Sequence, residues 1–342
     1  MHLIALTSGP DTPSTRFRIA AYAEAVQAAG HTIELRHAWP PLYTHRRWLG
    51  WRLSIRARRL KRRWDLRGLH RADAVLIERQ LFDADETDLE QQVRRRARRL
   101  VYDVDDAIHR QRPAKFATLW RTADVVIAGN DWLADAAREH CGDVVTIPTC
   151  VDTSRFRPVE RTAEPPGRRL RLGWTGTSSN LPQLAAIRGA IESLGDRVEL
   201  EVLSDENLNA WAELHTWSVP VITTRWTRAE ELAALARFDI GLMPLADTAW
   251  NRGKCGFKLI QYLATGLPAV ASPLPVNAAI AAGGAALLAE SVGEWAAALQ
   301  RLVDEASLRS DLAKRGPERI VAQYSIASQS DRWLAAVFGD NP

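Results

Sequence analysis

Short apolar runs alternate with longer segments of helical periodicity along the chain. In the first half, these runs predict strands at Leu3–Thr7, Ile33–Arg36, Ala74–Ile77, Leu100–Val104, Val125–Ala128 and Val144–Ile147. Helical patterns lie between several of them, such as Phe17–Ala29 and Trp132–His140. This alternation predicts βαβ units built around a parallel sheet.

A polar segment with little apolar periodicity, Pro158–Gly167, interrupts this pattern and is typical of a linker. Beyond it, strands are predicted at Leu170–Trp174, Val198–Leu203, Val219–Thr223, Ile240–Met243, Ala269–Ala271 and Ala286–Leu288, and helices at 181–194, 229–237, 256–265, 293–305 and 327–338. The sequence thus predicts an α/β fold of two doubly wound, Rossmann-like domains. Ligands of such sheets bind at the carboxyl ends of strands, so we expect a site in a cleft between the domains.

Composition narrows the class of protein. Of 342 residues, 46% are hydrophobic and 25% charged, which is typical of a globular protein and excludes whole-chain disorder. The three cysteines, Cys141, Cys150 and Cys255, form no CxxC pair, so we expect a reducing, cytoplasmic setting. The longest uncharged stretch, 259–289, contains prolines and a Gly-Gly pair, so no transmembrane helix is predicted.

The net charge of +4 conceals a basic segment at residues 45–71, which carries eleven Lys/Arg against one acid, Asp65. Its apolar residues recur at helical spacing on one face: Leu49, Leu53, Ala57, Leu60 and Trp64. A basic amphipathic helix of this kind predicts contact with an anionic membrane surface, and the protein could then lie on the inner face of the membrane. Alternatively, the apolar face packs on the first domain and the arginines are solvated. No nucleic-acid partner is predicted, since no binding motif accompanies the patch.

The stretch Asn251–Ser272 predicts a loop, a helix starting near Gly256, and a strand opened by Pro268. Free N–H groups at a helix N-terminus, with Lys254 and Lys258 beside them, suit a diphosphate. The alternative is a solvated basic loop.

This stretch, with Phe238–Pro244 before it, resembles the donor-site signature of the group-1 (family 4) glycosyltransferases; Ala264–Ala271 follows the family's A-x-G-x-P-V-V-A pattern. Ala123–Ala134 with Ile147–Pro158 is similar to a second family segment, and Asn130 occupies its usual Ser position. The tail, Gly316–Val337, looks like the family's helix that recrosses to the first domain. The matches cover about half of the chain, in the family's order.

The resemblance implies the GT-B fold: an acceptor domain at 1–157, joined by a helix at about 325–342 that crosses back, a linker at 158–168, and a donor domain at 169–324. It also implies transfer of a sugar from a nucleoside-diphosphate sugar to an acceptor hydroxyl, with retention and without a metal or other cofactor. The acceptor would be a glycan, a lipid-linked compound or a small molecule, in cell-envelope glycan or glycolipid synthesis. Two alternatives stay open: a catalytically weak sugar-nucleotide-binding or scaffold protein, and a sugar-nucleotide epimerase.

The sequence departs from the family at several site positions. Gly253 or Lys254 stands where the first Glu of the family's Glu-x7-Glu pair would be, and Gln261 stands at the second, which binds ribose in relatives. The family's N-terminal Gly-Gly turn is replaced by Pro13–Arg18, which makes Arg16 and Arg18 candidates to face the phosphates. Both could equally be surface charge.

The resemblance implies further donor-binding residues, namely Gly176, Thr177, Arg225, Trp226, Lys254, Gly256, Phe257 and Lys258. Gly176 and Thr177 lie in the turn after the first strand of the second domain, where Ser179 or Asn180 could instead simply cap the next helix. Arg225 and Trp226 would approach the base, although Trp226 could equally pack in the interior.

Acidic residues and a histidine follow the strand at 100–104. Asp105 and Asp106 are candidates to orient or deprotonate an acceptor hydroxyl, and His109 to contact the donor sugar or shuttle a proton. The alternative for the two carboxylates is a helix N-cap. Asp103 and Asp105 also have the DxD form of another glycosyltransferase fold's metal site, which we interpret as coincidence.

Overall fold

The structure is a computed structural model that describes residues 1–42, 50–160 and 167–339. It divides into two compact units. The N-terminal domain comprises Met1–Cys150, the tripeptide Gly253–Cys255 and the chain from Ile326 onward; the C-terminal domain comprises Val151–Arg252 and Gly256–Ser325. Arg46, Arg47, Trp48 and Leu49 of the basic segment, and Pro165 and Pro166 of the predicted linker, lie outside the described residues.

The N-terminal domain is built on a parallel sheet with strand order β2-β1-β3-β4-β5-β6. Its strands are β1 (His2–Thr7), β2 (Thr32–His37), β3 (Ala74–Glu78), β4 (Leu100–Val104), β5 (Val125–Ala128) and β6 (Val144–Thr146). Strands β3, β4 and β5 are buried throughout, as expected of parallel strands covered on both faces.

Helices flank this sheet: α1 (Ala23–Ala28), α2 (Gly50–Asp65), α3 (Asp88–Arg94), α4 (Pro113–Thr122) and α5 (Asp131–Arg138), with short π or 3-10 turns at 15–19, 20–22, 69–71 and 107–110. A helix from the end of the chain, Ile326–Phe338, completes this domain's core. Its Trp333 stacks on Tyr22, with ring centroids 4.7 Å apart, and donates from Nε1 to the carbonyl of Arg18. The last helix is thus an integral part of the N-terminal domain.

The C-terminal domain has a second parallel sheet, with strand order β12-β11-β10-β7-β8-β9. Its strands are β7 (Leu170–Thr175), β8 (Val198–Ser204), β9 (Val221–Arg225), β10 (Ile240–Met243), β11 (Ala269–Ala271) and β12 (Leu287–Leu288). Its helices are α6 (Leu181–Ala185), α7 (Arg188–Glu192), α8 (Leu208–Leu214), α9 (Glu230–Arg237), α10 (Ala249–Arg252), α11 (Phe257–Ala264), α12 (Pro275–Ala281), α13 (Val292–Asp304) and α14 (Ala306–Gln323); the chain's final helix is α15 (Ile326–Phe338).

All the predicted strands form, and the fold prediction of two Rossmann-like domains is confirmed. The predicted helix 181–194 is broken into α6 and α7. The tail segment Gly316–Val337 is not one helix, because α14 ends at Gln323 and α15 begins at Ile326. Among the described residues, no helix has the length and apolar character required to cross a membrane.

Helix α2 packs with its polar face inward. Ser54, Arg58 and Arg62 are buried, whereas Leu53, Leu60 and Trp64 are 56%, 65% and 63% exposed. The interpretation that the apolar face packs on the domain is therefore wrong. The reason is that strand ends and the turn after β2 present carbonyl acceptors: Arg62 donates to the carbonyls of Thr7 and Arg36, and Arg58 to those of Pro40 and Pro41. The guanidinium groups bond acceptors that a leucine could not bond.

Candidate functional site

The order of strands in the C-terminal sheet reverses between β7 and β10, and the carboxyl ends of these strands form a topological switch point. Gly176 follows β7 there, and Lys258 lies in the first turn of α11. A Cβ on Gly176 would be 2.9 Å from the Lys258 Cε and 2.7 Å from the Trp174 ring. The Lys258 Nζ lies 5.4 Å from the centre of that ring. The structure thus brings together two predicted donor-binding residues, and only glycine at position 176 tolerates this close approach.

Tyr262 of α11 links the ends of β7 and β10 at this switch point through hydrogen bonds. Its hydroxyl accepts from the N–H of Thr175 at 3.2 Å and donates to the carbonyl of Leu242 at 3.3 Å. The two groups belong to β7 and β10, where the strands diverge. Burial raises the pKa of Tyr262, so its hydroxyl stays protonated and serves as both donor and acceptor. Sequence reasoning missed this residue, although it lies one position after Gln261.

The start of α11 depends on Gly256, which adopts a left-handed backbone at φ 65°. A Cβ there would lie 2.2 Å from Cδ1 of Ile280. Phe257 and Lys258 are half-buried in the first turn, and Gln261 is buried. The Gln261 Nε2 has no hydrogen-bond partner within the described residues. It is a buried donor available beside the helix start.

The turn after β7 is fixed by Asp205 at the end of β8. Asp205 accepts from the Ser178 N–H at 2.5 Å and from its hydroxyl at 2.8 Å. Although burial opposes ionisation, these hydrogen bonds lower the pKa of Asp205. Thr177 is exposed and receives the Asn180 side chain at 2.7 Å. The predicted cap by Asn180 is therefore wrong, because its amide bonds Thr177 and not a helix N–H.

Arg225 and Trp226 end β9. The Arg225 side chain is 71% exposed and lies 3.6 Å from Glu206, a weak surface pair. Trp226 is half-buried and its N–H donates to the Ser204 carbonyl at 2.7 Å. Arg225 is thus accessible to a ligand, and Trp226 is anchored to the neighbouring strand.

In the N-terminal domain, Arg18 makes a two-pronged ion pair with Asp103 at 2.7 and 2.8 Å, and also donates to the carbonyl of Ile147. Burial raises the pKa of Asp103 to about 6, against the opposing effect of Arg18. Arg16 is also buried, and its guanidinium lies 4.7 Å from the centre of the Phe17 ring. Neither arginine is surface charge, and Arg18 is committed to Asp103. Its role toward phosphates stays a prediction.

Asp105 and Asp106 are organised by Arg79, which sequence reasoning missed. The Arg79 Nε donates to Asp105 at 2.5 Å, and its guanidinium lies 4.0 Å from Asp106. Burial alone would raise the pKa of Asp105, but the Arg79 guanidinium lowers it; burial raises the pKa of Asp106. Arg79 has φ 56°, a strained conformation for a residue with a side chain. Asp106 also caps the turn at Ala107, so the N-cap alternative holds for this carboxylate.

A carboxylate that sequence reasoning missed is Glu78, the last residue of β3, which is buried. It accepts from the Ser8 N–H at 2.9 Å and from the hydroxyls of Ser14 and Thr15. Glu78 therefore ties the chain after β1 to the end of β3, where this sheet has its own switch point. A charged residue closing an apolar strand is the signal that could have revealed it.

His109 lies between two indoles, with its ring centre 5.3 Å from those of Trp120 and Trp132. Burial, with a smaller effect from Arg110, lowers the pKa of His109 to about 4. Its imidazole is therefore neutral near pH 7 and suited to hydrogen bonding with a hydroxyl. A proton carried at neutral pH is not expected from such a group.

The tripeptide Gly253–Cys255 packs in the N-terminal domain. The Asn130 side chain donates to the Lys254 carbonyl at 2.9 Å and caps α5 by accepting from the Leu133 N–H. The Cys255 thiol donates to the Asp105 carbonyl at 3.2 Å. These contacts place the Lys254 backbone close to the carboxylates after β4.

The described residues contain no group of three or more His, Cys, Asp or Glu side chains placed to hold a metal ion. The two carboxylates of the DxD form have different partners: Asp103 pairs with Arg18 and Asp105 with Arg79.

Comparison with known proteins identifies the fold. Residues 174–305 match the family model described as glycosyl transferases group 1, and a search of curated proteins found no match. The Anabaena protein HepE in complex with UDP-glucose is similar at a TM-score of 0.68 and 12% identity, over 97% of this chain and 98% of that chain.

Two further structures give the same result. WaaG, a glycosyltransferase involved in lipopolysaccharide biosynthesis, is similar at a TM-score of 0.67 and 15% identity, over 99% of this chain and 100% of that chain. An alpha-glucosyltransferase in complex with UDP and a DNA 13-mer is similar at a TM-score of 0.70 and 11% identity, over 98% of each chain. The protein has the GT-B fold, and its residues 174–305 match the family model of the group 1 glycosyltransferases.

Proposed function

We propose that this protein transfers a sugar from a nucleoside-diphosphate sugar to an acceptor hydroxyl and that the donor diphosphate binds between Gly176 and the start of α11. The observation that carries this proposal is the close approach of the Lys258 side chain to Gly176 at a switch point of the sheet. An anion beside them would meet an ammonium group and the N-terminal end of α11.

In the proposed transfer, the C-terminal domain binds the donor and stabilises the departing diphosphate. The acceptor oxygen forms a bond to the anomeric carbon, the bond from that carbon to the diphosphate oxygen breaks, and the acceptor proton passes to the departing diphosphate. Lys258 and the start of α11 stabilise the negative charge that develops on the departing diphosphate. The Gln261 amide nitrogen is buried without a partner among the described residues, which supports the proposal that it bonds the ribose. With these groups as the counter-charge, we propose a metal-independent transfer, with retention of the anomeric configuration.

In the N-terminal domain, Asp106 and His109 are proposed to bind hydroxyl groups. Asp106 is held near the Arg79 guanidinium and has a carboxylate edge that is partly exposed. His109 offers a neutral imidazole. Since HepE is described in complex with UDP-glucose, a UDP-sugar is the first donor to test.

A thermal-shift assay tests the donor site. UDP, GDP, ADP and TDP, with their common sugar conjugates, are added with and without EDTA. We expect one nucleotide family to raise Tm by mass action, about 2.7 kcal/mol at a hundredfold excess over Kd. The shift should persist in EDTA and in the matched control Lys314→Ala, which removes an exposed lysine of α14, and it should disappear in Lys258→Ala. Absence of any shift across the panel would refute the donor site, and a shift abolished by EDTA would refute metal independence.

Anomeric retention has a separate test. With the donor found in that screen and an accepted alcohol, proton NMR of the early product distinguishes the two anomers. The donor's own anomeric configuration is expected in the product, and the opposite configuration would contradict the proposal.

We further propose that helix α2 docks on an anionic membrane surface, so that the acceptor is a membrane-borne intermediate of envelope glycan synthesis. Leu53, Leu60 and Trp64 form an exposed apolar stripe along α2. Exposed arginines flank this stripe, namely Arg52, Arg56, Arg63 and Arg67. We call these seven residues the α2 outer face. Arginines near an anionic bilayer contribute about 1 kcal/mol each, and the apolar side chains add burial at the interface.

Vesicle sedimentation tests this surface. The protein should bind phosphatidylglycerol vesicles, bind phosphatidylcholine vesicles weakly, and lose affinity as salt rises. Leu60→Ser should weaken binding, whereas Val321→Ser, at an exposed position of α14, should not. Equal binding to both lipids, or no effect of Leu60→Ser, would contradict docking by α2.

A further inference from the structure

A groove of about 850 Å³ runs along the edge strand β2, between the turn that follows it and the C-terminal part of α2. Two tryptophans line it, Trp39 from the turn and Trp64 from the helix, and they are 45% and 63% exposed. The remaining lining includes Glu34, Arg36 and Lys61. Exposed indoles are unusual because burial of a tryptophan is strongly favourable.

The groove is a rigid feature of the domain. Buried Arg58 donates to the carbonyls of Pro40 and Pro41, and thus fixes the turn that carries Trp39. Arg36 of β2 donates to the backbone carbonyl of Arg67 at 2.7 Å, and thus fixes the end of α2. The two indoles are therefore presented by anchored backbone, at low entropic cost for a ligand.

The charges in the groove are already paired. Arg36 makes a two-pronged pair with Glu34 at 2.8 and 2.9 Å, and Lys61 pairs with Asp65. The Arg67 guanidinium lies 3.9 Å from the centre of the Trp64 ring. A strongly charged ligand would have to displace these partners. A neutral ligand with many hydroxyls would instead find both donors and acceptors beside two exposed indoles, a combination that suits a sugar.

The position of the groove relates it to the reaction. In the strand order β2-β1-β3-β4, three strand spacings of about 4.8 Å separate the groove from Asp105 after β4, or about 14 Å. Trp64 and Arg67 also belong to the α2 outer face. A ligand in the groove would therefore lie next to that face and away from the site of transfer.

We infer that this groove binds a sugar unit of an oligosaccharide acceptor at a distance from the hydroxyl that receives the new sugar. The inference rests on the proposed function and makes it more specific, because it names an acceptor with a head group of several sugars, presented at the face proposed to meet the bilayer.

The first experiment probes the full-length protein on an array of immobilised oligosaccharides that covers neutral hexoses, hexosamines and uronic acids. The best binder is then titrated in solution by saturation-transfer NMR. We expect binding of a neutral oligosaccharide, with Kd raised about tenfold in Trp39→Ala, since loss of a stacked ring costs about 0.5–1.5 kcal/mol. Trp39→Tyr should restore part of the affinity, which separates stacking from misfolding.

Two surface variants separate this groove from membrane docking. Leu53→Ala, outside the groove lining, should weaken vesicle binding and leave oligosaccharide binding unchanged, whereas Trp39→Ala should do the reverse. The inference is overturned if no oligosaccharide on the array binds, or if Trp39→Ala binds as the wild type does. The UDP-sugar thermal shift is measured on the same samples: if it persists, only the groove has failed, and if it too is absent, the proposed function has failed.

Discussion

The hydroxyl of Tyr262 is expected to be the main polar support of the donor-side switch point, and Tyr262→Phe tests this. The substitution removes one oxygen and preserves the ring, which is fully buried. The Gly176 N–H already donates to the Leu203 carbonyl of β8, so the Thr175 N–H points the other way, toward β10, where it meets the hydroxyl. Phenylalanine would leave that N–H buried and unpaired.

The magnitude follows from these contacts. An unpaired buried donor costs about 1–3 kcal/mol, and the two bonds, at 3.2 and 3.3 Å, are long, so we expect a loss of about 2 kcal/mol. For a domain of this size that corresponds to about 4–8 °C in Tm. Because the change loosens the turn that carries Gly176, nucleotide binding should weaken as well.

The assay is urea unfolding followed by circular dichroism, with a separate fit for each domain's transition if two are seen. Tyr102→Phe is the matched control. Tyr102 is equally buried, but its hydroxyl has no hydrogen-bond partner among the described residues, so its loss should be neutral or slightly stabilising. If Tyr262→Phe proves as stable as Tyr102→Phe, the hydroxyl does not support the switch point.

Three further substitutions have defined outcomes. Asp103→Ala leaves Arg18 buried without its counter-charge, so the free energy of unfolding should fall by about 3–5 kcal/mol. A fall of less than 1 kcal/mol in urea unfolding would contradict the pairing. The pKa of His109 falls from 6.5 unfolded to about 4 folded, so its contribution to stability is complete above pH 6.5 and is lost as the pH falls toward 4. His109→Gln should flatten that part of the stability profile, and an unchanged slope would refute the shift. Gly176→Ala should weaken UDP-sugar binding about tenfold in calorimetry, since its Cβ overlaps Lys258 and Trp174; unchanged affinity would place the diphosphate elsewhere.

The central strands were the most predictable because they are buried on both faces. A parallel strand covered by helices has a continuous apolar run, and the runs at 100–104 and 125–128 match β4 and β5 to the residue. Strand ends were less certain where the next residue is charged: Glu78 belongs to β3 although its side chain is polar. Candidate site residues after the strands followed from the family resemblance together with the topology, because parallel strands place their carboxyl ends on one edge of the sheet.

The orientation of α2 was not predictable from the sequence. Periodicity showed an apolar face and a basic face but contained no information on which face meets the domain. Burial of Arg58 and Arg62 depends on carbonyls at the ends of β1 and β2 and in the turn after β2, which are distant in sequence. Only the assembled domain brings these acceptors to one place. The same applies to Arg79, whose strained backbone is visible only in three dimensions.

In both domains, a buried side chain forms hydrogen bonds with backbone groups at the switch point of the sheet. This affects how the charged residues nearby should be interpreted. At a switch point neighbouring strands diverge, so backbone groups at their ends have no partner in the hydrogen bonding between strands. In the C-terminal sheet Tyr262 pairs those of β7 and β10; in the N-terminal sheet Glu78 pairs the Ser8 N–H after β1. These side chains form hydrogen bonds with backbone groups that strand pairing does not satisfy at the two switch points.

Charge by itself is therefore a poor guide to the ligand site of this protein. Arg18 and Asp103 form an ion pair near the N-terminal switch point, yet both side chains are buried and each serves as the partner of the other. Lys258 differs because it lies against Gly176 at a switch point, where a Cβ would overlap its side chain, and Gln261 differs because its amide nitrogen is buried without a partner among the described residues. A buried donor without a partner is a feature that a ligand would complete. We therefore expect substitutions at Lys258 and Gln261 to affect donor binding more than stability, and substitutions at Arg18 and Asp103 to do the opposite.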